Sequence, residues 1–395
     1  MIPSFNFARI PHIIFGAGKI KELYDIIPKF GTNILFVIGK KSLKNSGKWD
    51  EITTALENKS LNYQEISISS EPSPTLIDDA VAKFRNKNID LVVSIGGGSV
   101  TDAGKAISAM ITKQDSIKNY LEGVGTKTHD GNKIPFIAIP TTSGTGSEAT
   151  KNAVISEIGP NGFKKSLRHN KFIPEVALID PELMISCPPL ISASCGMDAF
   201  TQLIEAYVSS QANPMTDALA FSGMKLISQN LIPACSSGAS KTEVRASVAY
   251  ASLVSGITLA NAGLGIVHGL ASSIGGMFDI PHGVICGTLL AEATKKNISK
   301  LKEQGSKGIE SLKKYADIGS LFSGIKSLKR DKIYENCSIL VKTLDTWINK
   351  LNLERLGNYG IKAGDLELLL EKTGLKSNPI ELNKDDIKTI ILNRL

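Results

Sequence analysis

The rhythm of apolar positions changes near the middle of the chain. Before about residue 185 they come in short β-branched runs: "NILFVIG" (33–39), "NYQEISIS" (62–69), "IDLVVSIGGGS" (89–99), "IPFIAIPTT" (134–142) and "VALIDP" (176–181). Several are apolar throughout, the pattern of strands buried on both faces of a parallel sheet. Helical spacing fills the intervals, as at 47–59 and 75–88, the latter entered through Ser73 as a cap and Pro74 at the first helical position. Strand and helix in alternation predict a layered α/β domain. From about residue 192 the strand pattern stops. Apolar residues then recur at helical spacing over 196–210, 214–230, 242–260, 265–277, 310–322, 333–350 and 383–394. The prediction is an α/β domain with a parallel sheet over 1–185 and an all-helical domain over 186–395, with a cleft between them as the natural ligand site.

Composition narrows the class. The chain has 395 residues, 42% hydrophobic and 21% charged, as in a water-soluble globular protein. The net charge of +7 is spread among acids, and the densest basic stretch, 295–330, is interleaved with glutamates. It reads as the solvated face of helices, not as a nucleic-acid surface. No apolar run approaches the ~20 residues of a membrane span, and the N-terminus lacks the charged and apolar regions of a secretory signal. The five cysteines are odd in number and contain no CxxC spacing. That argues against a disulfide framework or a thiolate metal site and for a reducing cytoplasm.

Two loops carry candidate chemistry. In "LVVSIGGGSVTDAGKAISAMI" (91–111) a buried strand runs through three glycines and a serine into a helix. Glycines there let the backbone approach a ligand, and the helix N-terminus suits a pyrophosphate. The same glycines also serve a tight turn, and neither the GxGxxG nor the GxxxxGK[ST] spacing is present. A second loop, "IPTTSGTGSEAT" (139–150), again follows a buried strand and is dense in Gly and hydroxyls. Two such loops in one α/β domain favour a nucleotide.

The metal candidates lie in the second half. His268 and His282, two of only five histidines, sit fourteen residues apart in a Gly-rich apolar stretch. Asp198 lies on a neighbouring amphipathic helix, and the partner one turn on, ordinarily a histidine, is Gln202. One carboxylate and two imidazoles form a plausible open site for a divalent ion, and a histidine packed in a core is the bland alternative. Phe163, Met197, Phe200 and Phe278 read equally as pocket lining or as core.

The ordered set "IIFGAGKI" (13–20), "IGGGSVTDAGKA" (95–106), "PTTSGTGSEAT" (140–150), "FIPEVALIDPEL" (172–183), "GMDAF" (196–200) and "VHGLASSIGGMFDIPHG" (267–283) resembles the iron-containing (group III) alcohol dehydrogenases, of dehydroquinate synthase-like fold, over essentially the whole chain. The resemblance implies a dinucleotide-binding N-terminal domain, a helical metal domain, and hydride transfer between NAD(P)(H) and a small alcohol or aldehyde. Position by position it implies Gly97, Gly98, Ser99 and Asp102 at the pyrophosphate, and Thr141, Thr142, Thr145, Asn152 and Lys165 on the cofactor side. It implies Asp198, His268 and His282 as catalytic metal ligands for Fe(II) or Zn(II), with Gln202 as a possible fourth, and a homodimer. Two positions depart from the family pattern: Gln202 replaces a histidine ligand, and Ser272 replaces a histidine often discussed as a proton relay. After strand 33–39 the chain reads Gly39, Lys40, Lys41, Ser42 where NAD-preferring relatives carry an acid, which leans toward NADP(H) over NAD(H). Alternatives are a glycerol dehydrogenase- or maleylacetate reductase-like enzyme, or a silent cofactor-binding protein.

Overall fold

The computed structural model describes residues 4–323 and 330–395. Six parallel strands form one sheet in the order β1-β8-β5-β4-β2-β3. They are β1 (His12–Phe15), β2 (Asn33–Gly39), β3 (Asn62–Ile68), β4 (Leu91–Gly96), β5 (Phe136–Pro140) and β8 (Val176–Ile179). β2, β4, β5 and β8 are almost wholly buried, as their uninterrupted apolar runs require when helices cover both faces. The five expected strands are all present. β1, four residues at the sheet edge, escaped the pattern because it is too short for alternation to register. Between the strands run α1 (Leu23–Ile26), α2 (Ser42–Asn45), α3 (Lys48–Asn58), α4 (Pro74–Phe84) and α5 (Gly98–Met110). Ser73 caps α4 by accepting from the Leu76 N–H, with Pro74 at the first helical position.

A separate antiparallel hairpin, β6 (Asn152–Glu157) and β7 (Phe163–Arg168), was not foreseen. Its lysine-rich second strand, "FKKSLR", does not alternate as a sheet strand does. It packs against a later helix, α9 (Ile266–Met277), where a Cβ on Gly276 would lie 2.9 Å from the Phe163 Cα.

The second half is helical: α6 (Pro189–Val208), α7 (Pro214–Ala234), α8 (Thr242–Ala262), α9 (Ile266–Met277), α10 (His282–Glu303), α11 (Ile309–Ser323), α12 (Arg330–Lys350), α13 (Leu366–Lys372) and α14 (Lys384–Leu392). A core of Met197, Phe200, Leu203, Ile274, Leu289 and Trp347 joins them. Phe200 packs 5.2 Å from Trp347, ring centre to ring centre, so Met197 and Phe200 are core residues. In the basic stretch 295–330, of which 324–329 lie outside the described residues, several lysines pair with acids, Lys296 with Asp386 and Lys314 with Asp217 on other helices. Lys300 bonds Glu303 and Lys313 bonds Glu310, both at 2.7 Å. No single described helix is long and apolar enough to cross a membrane.

The two halves meet through glycines. Gly146, at φ +59°, lies against Gly256 of α8, and a Cβ on Gly256 would fall 2.1 Å from the Gly146 carbonyl oxygen. No side chain fits between these backbones. A Cβ on Gly144 would fall 2.8 Å from the Cys195 Cβ of α6. The loop 141–150 is thus clamped between the sheet and the helical half.

Candidate functional site

The chain reverses direction across the sheet between β2 and β4, and the loops at the C-terminal ends of these strands border a cleft, the usual ligand position in an open α/β sheet. A cavity of about 390 Å³ opens there, lined in part by Ser42, Lys48, Thr141, Thr142 and Leu183. Gly97, Gly98 and Ser99 lead into α5 and are half-buried, as are Thr141, Thr142 and Thr145. The two loops interlock: a Cβ on Gly98 would lie 2.6 Å from the Thr145 Cγ2, and one on Gly97 3.3 Å from the Thr142 Oγ1. Gly39 is half-buried at the end of β2, with Lys40, Lys41 and Ser42 exposed beyond it.

Asp102 has a different position from its neighbours in the motif. Its Oδ1 accepts from the Ser147 hydroxyl and its Oδ2 from the Val154 N–H at 3.1 Å, so it ties α5 to the second loop and the hairpin. Lys105, one turn on, donates to the carbonyl oxygens of Ser147 (2.8 Å), Thr150 (3.0 Å) and Asn152 (2.8 Å). Burial lowers its pKa to about 8. Neither role was legible in the sequence. On β7 Lys165 is exposed to solvent. Lys164, its neighbour, is the buried lysine and bonds both oxygens of Glu71.

The metal candidates converge from three helices. Asp198 comes from α6, His268 from the first turn of α9, and His282 is the first residue of α10. Asp198 Oδ1 lies 3.3 Å from His268 Nε2 and 3.8 Å from His282 Nε2. It is buried and makes no hydrogen bond. A buried carboxylate oxygen left unpaired is costly, and a divalent ion between it and the imidazoles would satisfy it. The residues present therefore fit such an ion. Burial alone would raise the Asp198 pKa, but His282 and His268 outweigh it and hold the carboxyl below its ordinary value. Burial likewise opposes protonation of His268. Cys286, Asp198 and Glu205 around it reverse the sign and raise its pKa well above normal.

Two further residues belong to the cluster. Cys286 Sγ lies 3.7 Å from His268 Nε2 and 3.6 Å from His282 Nε2, and burial pushes its thiol up to about 12. The four ligand-capable atoms of Asp198, His268, His282 and Cys286 all lie within 4.8 Å of one another. This departs from the expectation that thiols stand apart from the metal candidates. The signal was the spacing of Cys286 four residues after His282, one turn along the same helix face. Glu205 sits two turns after Asp198 on α6. Its Oε2 accepts from His268 Nδ1 at 2.7 Å and its Oε1 from the Val267 N–H, also at 2.7 Å. It thus fixes the histidine's orientation and leaves Nε2 facing Asp198.

Gln202 is turned away from this centre. Its Nε2 donates to Asp198 Oδ2 at 3.3 Å, and its Oε1 accepts from the Ser255 hydroxyl at 2.8 Å. Ser272 donates to the His268 carbonyl oxygen within its own helix. The cleft and the cluster are linked through α6: Cys195 packs against Gly144 of the second loop, and Asp198 follows one turn later.

Comparison with known proteins agrees with this arrangement. Residues 11–181 match the family model of iron-containing alcohol dehydrogenase, and residues 192–395 match the C-terminal model of the Fe-containing alcohol dehydrogenase family. The long-chain-alcohol dehydrogenase 1 of Geobacillus thermodenitrificans is 32% identical, over 97% of this chain and 94% of its own length. The 1,3-propanediol dehydrogenase of Klebsiella pneumoniae is 33% identical, over 91% and 95%. A crystal structure of a 1,3-propanediol oxidoreductase superposes with a TM-score of 0.87 at 29% identity, covering all of both chains. With the sheet, the two glycine loops and the acid–imidazole cluster in place, the chain belongs to the iron-containing alcohol dehydrogenase family.

Proposed function

We propose that residues 1–185 hold a nicotinamide cofactor, with NADP(H) preferred, and that residues 186–395 hold a divalent metal and a small alcohol or aldehyde. The chain is an NAD(P)-dependent alcohol dehydrogenase of its family, an oxidoreductase of CH–OH groups; the residue roles, the cofactor preference and the metal are our reading. One observation carries it: the unpaired, buried Asp198 Oδ1 faces two imidazoles one helical turn from the loop that borders the cleft. A divalent ion held there would supply Lewis-acid polarisation of a substrate oxygen, and a nicotinamide in the cleft would supply the hydride donor or acceptor.

The chain's own part follows from the geometry. Asp198, His268 and His282 hold the ion. Glu205 keeps the His268 Nε2 lone pair directed at it, and the buried surroundings exclude water, which strengthens each charge interaction. Gly97, Gly98 and Ser99 offer the pyrophosphate the free N–H groups of the α5 N-terminus without a side chain in the way. Thr141, Thr142, Thr145 and Asn152 flank the cofactor, and Asp102 acts by holding the second loop in register. Gly39, Lys40 and Ser42 leave room and positive charge for a 2′-phosphate where an acid would repel it. A homodimer in a reducing cytoplasm completes the reading. The first is implied by the family resemblance, and the second by five cysteines that are all free.

The test is aldehyde-dependent oxidation of NADPH and NADH by wild type and Gly39→Asp. Wild type should favour NADPH, and the variant should lose NADPH efficiency by about tenfold or more, ~1.4 kcal/mol of like-charge repulsion. A wild type that prefers NADH, or a variant with an unchanged ratio, would refute the cofactor assignment.

A further inference from the structure

Cys286 has no task in the reading above, although it is completely buried and its sulfur lies against both imidazoles of the proposed metal set. The distances among the four atoms are informative. Metal–nitrogen and metal–oxygen bonds near 2.0–2.1 Å and a metal–sulfur bond near 2.3 Å imply tetrahedral ligand-to-ligand edges of roughly 3.3–3.6 Å. The observed edges are 3.3 Å from Asp198 to His268, 3.8 Å from Asp198 to His282, and 3.7 and 3.6 Å from Cys286 to the two histidines. These four of the six edges match a tetrahedral shell to within a few tenths of an ångström, and the other two lie within 4.8 Å.

Gln202 is poorly placed to supply the fourth ligand. Its amide N–H₂ faces Asp198 and its carbonyl oxygen is taken by Ser255. Ligation would require turning the amide over and giving up both bonds. Cys286 needs no such change, because its sulfur already faces His268 Nε2 and His282 Nε2 within the cluster.

Resting on the metal reading of this site, we propose that the Cys286 thiolate, and not the Gln202 amide, is the fourth ligand. The centre is then a mixed Asp/His/His/Cys site. On binding, the Cys286 S–H bond breaks, its proton leaves to solvent, and the sulfur electron pair forms the bond to the ion; no oxidant or reductant takes part. Asp198 and the thiolate together carry two negative charges, which balance a divalent ion in a dry pocket. Gln202 in that position would bring no charge to the ion. A thiolate also shifts selection toward softer, tetrahedral ions, so Zn(II) and Co(II) are preferred to Fe(II) and Mn(II). The open side of the set is at His282, whose side chain is 24% exposed, against 2% and 5% for Asp198 and His268. That is the direction from which a substrate oxygen can reach the ion.

The experiment combines X-ray absorption at the zinc edge of the Zn(II)-loaded wild-type protein with the near-ultraviolet spectrum of the Co(II)-loaded wild type, Cys286→Ser and Gln202→Ala. The expected result is one sulfur at about 2.3 Å from zinc. A thiolate-to-cobalt charge-transfer band should appear in wild type and Gln202→Ala and be lost in Cys286→Ser. Zn(II) affinity should fall on the order of 100-fold in Cys286→Ser and less than tenfold in Gln202→Ala. The absorption measurement needs no variant, so a misfolded Cys286→Ser does not remove the test. One ion per chain with only nitrogen and oxygen neighbours would overturn the thiolate assignment and leave the metal reading standing. No stoichiometric ion in any form would overturn both.

Discussion

The cleft over the sheet and the cluster among the helices are built on opposite physical principles. The cleft is made of backbone: Gly98 and Gly146 lie where a Cβ would strike a neighbour, Gly97 lies tight against Thr142, and Thr145 closes against Gly98. It works by leaving side chains out. The cluster is made of side chains that are expensive to bury, an aspartate, two histidines and a glutamate within hydrogen-bonding or ion-pairing reach. It works by bringing charge into a dry interior, where each group is stable only while its partners are present. Steric errors should therefore damage the first site and loss of a single polar atom the second, with little cross-talk.

The largest effect separating the two should come from His268→Ala. Removing it should lower kcat by ~10³ or more, several kcal/mol of lost polarisation at the substrate oxygen. NADPH binding, followed by fluorescence, should change by less than about threefold because the glycine loops are untouched. Substantial turnover in this variant would break the assignment of catalysis to the helical cluster. Glu205→Gln is a gentler probe of the same side. With His268 Nδ1 no longer held by a carboxylate, metal affinity should drop roughly 10- to 100-fold, read by titration with a competing chelator.

Gly98→Ala tests the other side. The added methyl meets the Thr145 Cγ2 at 2.6 Å, so the two loops must part. The NADPH Kd should rise about tenfold while metal content per chain stays at the wild-type level. A fall in metal content instead would mean that the two sites are coupled through α6.

The smallest effect on activity concerns the loop clamped between the halves. Burial raises the Glu148 carboxyl from 4.5 to about 7. Between those values the folded chain binds more proton than the unfolded one, so this group's contribution to stability falls as pH rises through about 4.5–7. Glu148→Gln should abolish that slope, worth up to ~3 kcal/mol. Urea unfolding at pH 5 and pH 8 should show the variant losing less stability than wild type between the two.

The sequence by itself determined the parallel sheet, the two glycine loops and the helical second half, and it singled out Asp198, His268 and His282, which the fold brings together. Each of these is written in local chemistry. A strand buried on both faces must be apolar throughout, a tight strand-to-helix turn must be small, and ionisable groups in apolar helices stand out from their neighbours. Tertiary structure decided what local pattern does not encode. Lys164 points inward and Lys165 outward because the hairpin docks on α9, a contact made more than a hundred residues away in sequence. Asp102 serves the second loop because α5 lies beside it. Gln202 turns toward Ser255 and Cys286 toward the histidines because α6, α8, α9 and α10 meet at this point. A residue's neighbours across helices depend on how those helices pack, and that packing is fixed only when the whole core closes.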